Sequence, residues 1–173
     1  MALRTILTAP DPRLKQKAKR VTRVDVPIRQ LMDDMLETMY AAPGIGLAAP
    51  QVGEGVRVLV IDIGKNPEDR APLRMANPEI VWASDDDVTF EEGCLSVPEH
   101  YADVIRPKSV KVRYLDENDQ QRELLAEDLL STVVQHEMDH LDGVLFIDHI
   151  SALKRNMILR KLLKARKLAA TPA

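Results

Sequence analysis

Along the chain the apolar positions change period several times. Over "DVPIRQLMDDMLETMYAAPG", Ile28, Leu31, Met32, Met35, Leu36, Met39 and Tyr40 recur at helical spacing and form one apolar face. Asp25 stands where an N-cap belongs, Pro27 suits the first turn, and Pro43-Gly44 ends the helix. The helical period then gives way to a short β-branched run, "VRVLVIDI" (56–63), which predicts a buried strand. "RMANPEIVWAS" has the same character, but Pro78 predicts an interruption. "SVKVRYLD" and "QRELLAE" flank "ENDQ", a hairpin signal. From 128 to 141, Leu129, Leu130, Val133, Val134, His136, Glu137, His140 and Leu141 cover one broad helical face. "SALKRNMILRKLLKARKLAA" predicts a last helix capped by Ser151. Strands cluster in the middle and helices at the ends, which predicts an α+β fold rather than alternating α/β.

Length and composition narrow the class. A chain of 173 residues, 45% hydrophobic and 29% charged, is one globular domain's worth, 1–173. Only 3% is aromatic, so the core must be built from Leu, Val, Ile, Met and Ala. One cysteine, Cys94, excludes an internal disulfide and fits a reducing compartment. The N-terminus lacks an apolar signal-like stretch and no run of 18 apolar residues occurs, so a cytoplasmic protein without a membrane span is expected. The net charge of -3 says little about partners, but its distribution says more. From about 151 to 168 the last helix carries Lys154, Arg155, Arg160, Lys161, Lys164, Arg166 and Lys167, and no acidic residue follows Asp148. Leu153, Met157 and Leu162 are the apolar positions expected to dock it. "SDDD" (84–87) reads as a solvated turn.

The chemistry lies in "QHEMDHLDG" (135–143). On a helix, His136 and His140 lie one above the other and can offer ring nitrogens to one metal ion. Glu137 points about 100° away, beside such an ion rather than on it, within reach of an activated water. A metal there would lower the pKa of that water toward ~7. Two histidines leave the site incomplete. No Glu follows Glu137, and Phe146 stands where one group of zinc proteases carries a third His. Asp142, Asp148 and His149 remain downstream, with Cys94 and His100 upstream. Thiolate is a strong ligand for first-row metals, and a Cys/His/His set leaves a fourth position open for catalysis. The context "EEGCLSVP" looks like a shaped loop, with Gly93 permitting close approach and Pro98 fixing its exit. "GIGLAA" likewise reads as a loop that lets backbone approach a ligand; it lacks the Gly-Lys-Ser/Thr ending of a phosphate loop.

Three segments together carry a resemblance. "GIGLAAPQ" (44–51), "EGCLS" (92–96) and "QHEMDHLDG" resemble the signature motifs of the peptide deformylases, in that family's order and at similar separations. The likeness runs from about residue 4 into the C-terminal helix. It implies an α+β fold with the His-Glu-x-x-His helix packed against small antiparallel sheets. It implies removal of the formyl group from N-terminal formylmethionine of new polypeptides, with N-formylmethionyl peptides and nascent chains as partners. Laid on this sequence, it implies metal ligands Cys94, His136 and His140, and Glu137 as general acid/base. Gln51 and the Leu95 N–H would hold the oxyanion, and Ile45 and Gly46 would meet the substrate backbone in strand-like fashion. The implied metal is Fe(II), with Zn, Ni or Co as substitutes. Val133 and Leu129, one and two turns before His136, are expected to line a methionine pocket, with Tyr101 along the groove. The basic C-terminal helix becomes a candidate for ribosome contact. Asp128 stands where many relatives have Gly and is expected to act as an N-cap. His100 and His149 are expected to be loop or surface residues. Two other classes remain to be distinguished: a metalloprotease of internal peptide bonds, and a catalytically dead relative that only binds.

Overall fold

A computed structural model describes residues 2–170, in which an antiparallel sheet takes a helix on each face. The chain runs α1 (Val26–Ala41), β1 (Gly46–Ala48), β2 (Val58–Ile61), β3 (Leu73–Ala83), β4 (Asp87–Cys94), β5 (Val97–Pro107), β6 (Ser109–Leu115), β7 (Gln121–Glu127), α2 (Asp128–Leu141) and α3 (Ala152–Ala170). The main sheet has the order β1-β2-β3-β6-β7, and β4 and β5 form a separate two-stranded sheet. The architecture is α+β, as the distribution of periods predicts.

The uninterrupted apolar run of β2 has a direct cause. Its four residues are all buried because both faces of the sheet are covered. Leu59 and Ile61 pack with Met75, Val112 and Ala126 against Val133, Val134 and Leu141 of α2. Val58 and Val60 face the other way, against Leu31, Met32, Met35 and Met39 of α1. Met32, Met35 and Met39 are 0% exposed. Burying each contributes about 1.5–3 kcal/mol, which makes α1 a structural helix. Its ends follow the predicted signals: Asp25 accepts from the Ile28 N–H at 3.1 Å, and the Gly44 N–H returns to the Met39 carbonyl at 2.7 Å.

Several expectations need correction. Pro78 does not interrupt β3. The strand continues through a register shift between Ala76 and Glu79, where a proline displaces no ladder hydrogen bond. Asn77 in that bulge has φ 49° and clasps Val21 with two hydrogen bonds, 2.9 and 2.8 Å, tying the N-terminal segment to the sheet. "GIGLAA" is not simply a loop: Gly46–Ala48 pairs with Ile61, Val60 and Leu59 as an edge strand. Asp128 does not cap α2. Glu127 takes the cap position without a side-chain bond, and Asp128 enters the helix at φ 52°, a conformation Asp tolerates better than most residues. The β6–β7 hairpin and the Ser84–Asp86 turn agree with prediction.

The chain returns from α2 beneath its own N-terminus. Leu14, Val97, Val104, Leu145, Phe146, Ile147 and Leu162 form a third apolar cluster that seats α3. Leu162 docks as expected, but Leu153 (69% exposed) and Met157 (43%) do not; Ile158 and Leu159 pack there instead. Ser151 Oγ accepts from the Lys154 N–H at 3.2 Å, the predicted cap.

Candidate metal centre

"EEGCLSVP" is the turn of the β4–β5 hairpin. Cys94 ends β4, pairs with Val97, and leaves Leu95 and Ser96 as the turn. A Cβ on Gly93 would lie 2.6 Å from the Tyr101 ring, so any larger residue there would displace that side chain. The hairpin brings Cys94 to α2, although it lies 46 residues before His140. Cys94 Sγ and one ring nitrogen from each of His136 and His140 lie within 4.8 Å of one another. Sγ and His140 Nε2 are 3.4 Å apart. Among the described residues this is the one group of His, Cys, Asp and Glu so placed.

The ring of His136 is oriented from behind. Its Nδ1 lies 2.9 Å from Oε1 of Glu92; a carboxylate accepts only, so Nδ1 carries the proton and Nε2 is left as a ligand atom. Phe146 stacks on the same ring at 6.1 Å between centroids. It walls the site from the position where one group of zinc proteases carries its third histidine. The other downstream candidates are engaged elsewhere: Asp142 pairs with Arg57 at 3.0 Å, Asp148 with Lys15, and His149 with Asp139 at 2.8 Å. His100 is a half-buried strand residue of β5.

Glu137 is 4% exposed, and its Oε1 has no protein hydrogen-bond partner. That oxygen is 3.9 Å from His140 Nε2. Burial raises the Glu137 carboxyl to about 7, although the charge on His136 pulls it down. Burial opposes a proton on His136, but Glu137, Cys94 and Glu92 together lift it well above the ordinary histidine value. His140 is pushed well below that value, by burial first and by the charge of His136 second. A cation held by Cys94, His136 and His140 would take the place of the His136 proton and, like it, favour the ionised form of Glu137.

Gly46 explains why the edge strand needs a glycine. A Cβ there would sit 2.4 Å from Oε2 of Glu137, so the strand lies directly on the carboxylate. Gly46→Ala is expected to displace Glu137 and lower kcat by about 100-fold, the cost of roughly 1 Å of misplacement. Metal content should be unchanged; equal kcat in steady-state assays would count against this placement.

Beside these groups opens a cavity of about 610 Å³ lined by Ile45, Gly46, Leu95, Tyr101, Leu129, Val133, His136 and Glu137, among others. Gln51 stands behind Cys94, 1% exposed. Its Oε1 accepts from the Ala48 N–H at 2.9 Å, which turns its amide nitrogen toward Ser96 Oγ at 3.0 Å and Cys94 Sγ at 3.5 Å. The structure thus brings Gln51, Cys94, His136, Glu137 and His140 together and sets Ile45, Gly46, Leu95, Tyr101, Leu129 and Val133 along the cavity. It adds Glu92, Arg106 and Asp139, which sequence reasoning missed. Glu92 lies inside "EGCLS" and Asp139 inside "QHEMDHLDG"; of the three, only Arg106 stands outside any motif.

The donor set fits a metal ion: one sulfur, two imidazole nitrogens, one tautomer fixed by a buried carboxylate, and an unpartnered buried carboxylate oxygen alongside. Comparison with known proteins agrees. The sequence model described as Polypeptide deformylase matches residues 3–156. The chain belongs to the polypeptide deformylase family. A peptide deformylase of Phenylobacterium zucineum is 56% identical, over 98% of this chain and 100% of its own. The Ehrlichia chaffeensis peptide deformylase crystal structure superposes with a TM-score of 0.93 at 38% identity, covering 98% of this chain and 100% of that one. That from Legionella pneumophila gives 0.90 at 45% identity, covering 99% and 100%. As a deformylase the chain is a metal-dependent hydrolase that removes the N-formyl group from new polypeptides. Among the described residues no helix is long and apolar enough to cross a membrane.

Proposed function

We propose that Cys94, His136 and His140 hold one divalent ion and that Glu137 moves the proton in deformylation of N-formylmethionyl peptides. The observation that carries this reading is the convergence of Cys94 with both histidines while Glu137 lies beside them. When bound, the ion supplies Lewis-acid activation of water and of the formyl carbonyl. Glu137 takes the proton of the attacking water and returns it to the leaving amine. Its carboxylate is buried, with Oε1 free of any protein hydrogen bond, so it can accept the first proton and return it. Gln51 Nε2, 3.5 Å from Cys94 Sγ, and the Leu95 N–H would receive the charge that develops on the formyl oxygen. Glycine at 46 and the terminal place of β1 in its sheet leave room for a peptide to add as a further strand beside Ile45 and Gly46. Leu129 and Val133 supply an apolar wall for the methionine side chain, and Tyr101, 64% exposed, flanks the chain that follows.

A formyl carbon carries only hydrogen, and the close approach of Gly46 to Glu137 leaves little room for more. Turnover of a formyl-Met peptide is therefore expected to exceed that of the acetyl-Met peptide by about 100-fold or more. Parallel assays of formate and acetate release test this. Comparable rates would refute the tight site, and cleavage of unformylated peptides at internal bonds would favour the metalloprotease reading.

The native ion in this reading is Fe(II), with Zn, Ni or Co as substitutes, in one cytoplasmic domain spanning 1–173. Metal analysis of protein purified without oxygen tests the iron assignment; stoichiometric zinc would displace it. Ribosome contact falls to α3, whose Lys154, Arg160, Lys161 and Lys164 are exposed. Because Ile158, Leu159 and Leu162 belong to the apolar cluster, charge removal is a cleaner probe than truncation. Lys161→Ala with Lys164→Ala is expected to weaken cosedimentation with ribosomes and reduce its salt slope by about 2, with peptide turnover spared. Binding indifferent to salt and to both substitutions would remove α3 from the account.

A further inference from the structure

His136 is the inner end of a chain of charged hydrogen bonds that runs out to solvent. Its Nδ1 donates to Glu92 at 2.9 Å, and Arg106 grips Glu92 through Nε at 2.7 Å and Nη2 at 2.9 Å. Nη1 of Arg106 donates to Oδ2 of Asp139 at 2.9 Å, and the same oxygen accepts from Nε2 of His149 at 2.8 Å. The side chains of Glu92 and Arg106 are 4% and 5% exposed, that of Asp139 25% and that of His149 38%. The ligand assignment uses only the inner end of this chain.

One guanidinium here serves two carboxylates. The more strongly Asp139 holds Arg106, the less Arg106 neutralises Glu92, and the more strongly Glu92 accepts from His136. A stronger acceptor at Nδ1 makes the opposite ring nitrogen a better metal donor. The N–H of His149 occupies part of the Asp139 charge and so works against that pull. We propose that Asp139 and His149 are positioning residues of the metal centre, which set through Arg106 and Glu92 the donor strength of the His136 ring. This inference rests on the assignment of Cys94, His136 and His140 as ligands.

The two outer residues act in opposite senses, and that separates this role from a packing role. His149→Ala frees Asp139 to draw on Arg106, so metal release should slow. Asp139→Asn removes the competing charge, so release should quicken. Outer-shell partners of a metal-bound histidine typically shift affinity 10–100-fold, and Asp139 and His149 act two and three hydrogen bonds beyond Glu92, so about threefold each way is expected. His149→Gln should restore the wild-type rate, because its amide nitrogen takes the place of ring Nε2. The experiment loads the full chain with Co(II) and follows transfer to a chelator and the visible absorption bands of the bound ion. Release shifted in opposite directions by His149→Ala and Asp139→Asn, with bands shifted likewise and the His149→Gln variant matching the wild type, is the expected result. Unchanged rates and bands, or faster release in both variants, would overturn the proposal while leaving the ligands in place. A wild-type chain that binds no cobalt, or a Cys94→Ala chain that binds it equally well, would instead defeat the ligand assignment and the proposal with it.

Discussion

Glu137→Ala is expected to keep a stoichiometric metal ion and lose about 10²–10⁴ in kcat. The two effects separate because of where the carboxylate lies. Oε1 of Glu137 is 3.9 Å from His140 Nε2, outside the Cys94–His136–His140 set, so its removal costs no ligand. It is also buried and without a protein hydrogen-bond partner, so no network collapses with it. What is lost is the buried carboxylate beside the ligands that would carry the proton. Without it, neither the attacking water nor the leaving amine has a proton acceptor or donor in place. Metal analysis and steady-state kinetics on one preparation decide the matter. A metal-free variant would make Glu137 a ligand, and a fully active one would strip it of the proton-transfer role.

Cys94→Ala should lose the metal itself. Removing one of three protein ligands is expected to weaken binding by more than about 100-fold, the upper loss seen when only an outer partner is removed. Its neighbours limit the structural damage. Gln51 keeps its bonds to Ala48 N–H at 2.9 Å and Ser96 Oγ at 3.0 Å, and Cys94 is only half-buried. The variant should therefore unfold near the wild-type midpoint when both are metal-free, while dialysis leaves it well below one ion per chain. Wild-type metal content and rate in this variant would falsify the ligand set.

How much of this was legible beforehand depends on the range over which each feature is determined. Helices α1, α2 and α3 and the β6–β7 hairpin follow from periodicity, caps and turn residues, all local in the chain. The pairing of His136 with His140 is local too, since one helical turn brings them together. Motif resemblance supplied Cys94 as their partner, but spacing alone left His149 and Asp148 open; only folding shows those two turned toward Asp139 and Lys15. Strand β1 was illegible because three residues opening on a glycine carry no period, and their partners in β2 lie beyond an intervening helical turn. Pro78 misled because a bulge is a property of two strands together. On α3, Leu153 and Leu162 are alike in hydropathy, and the third apolar cluster decides which is buried. The chain from Glu92 through Arg106 to Asp139 and His149 joins residues scattered from 92 to 149. Charge pairing at such separations leaves no periodic trace. The sequence by itself determined the helices, the hairpin and the residue types able to bind a metal; the tertiary structure decided which of them meet, because only packing of the β4–β5 hairpin and the main sheet against α2 brings distant segments within bonding distance.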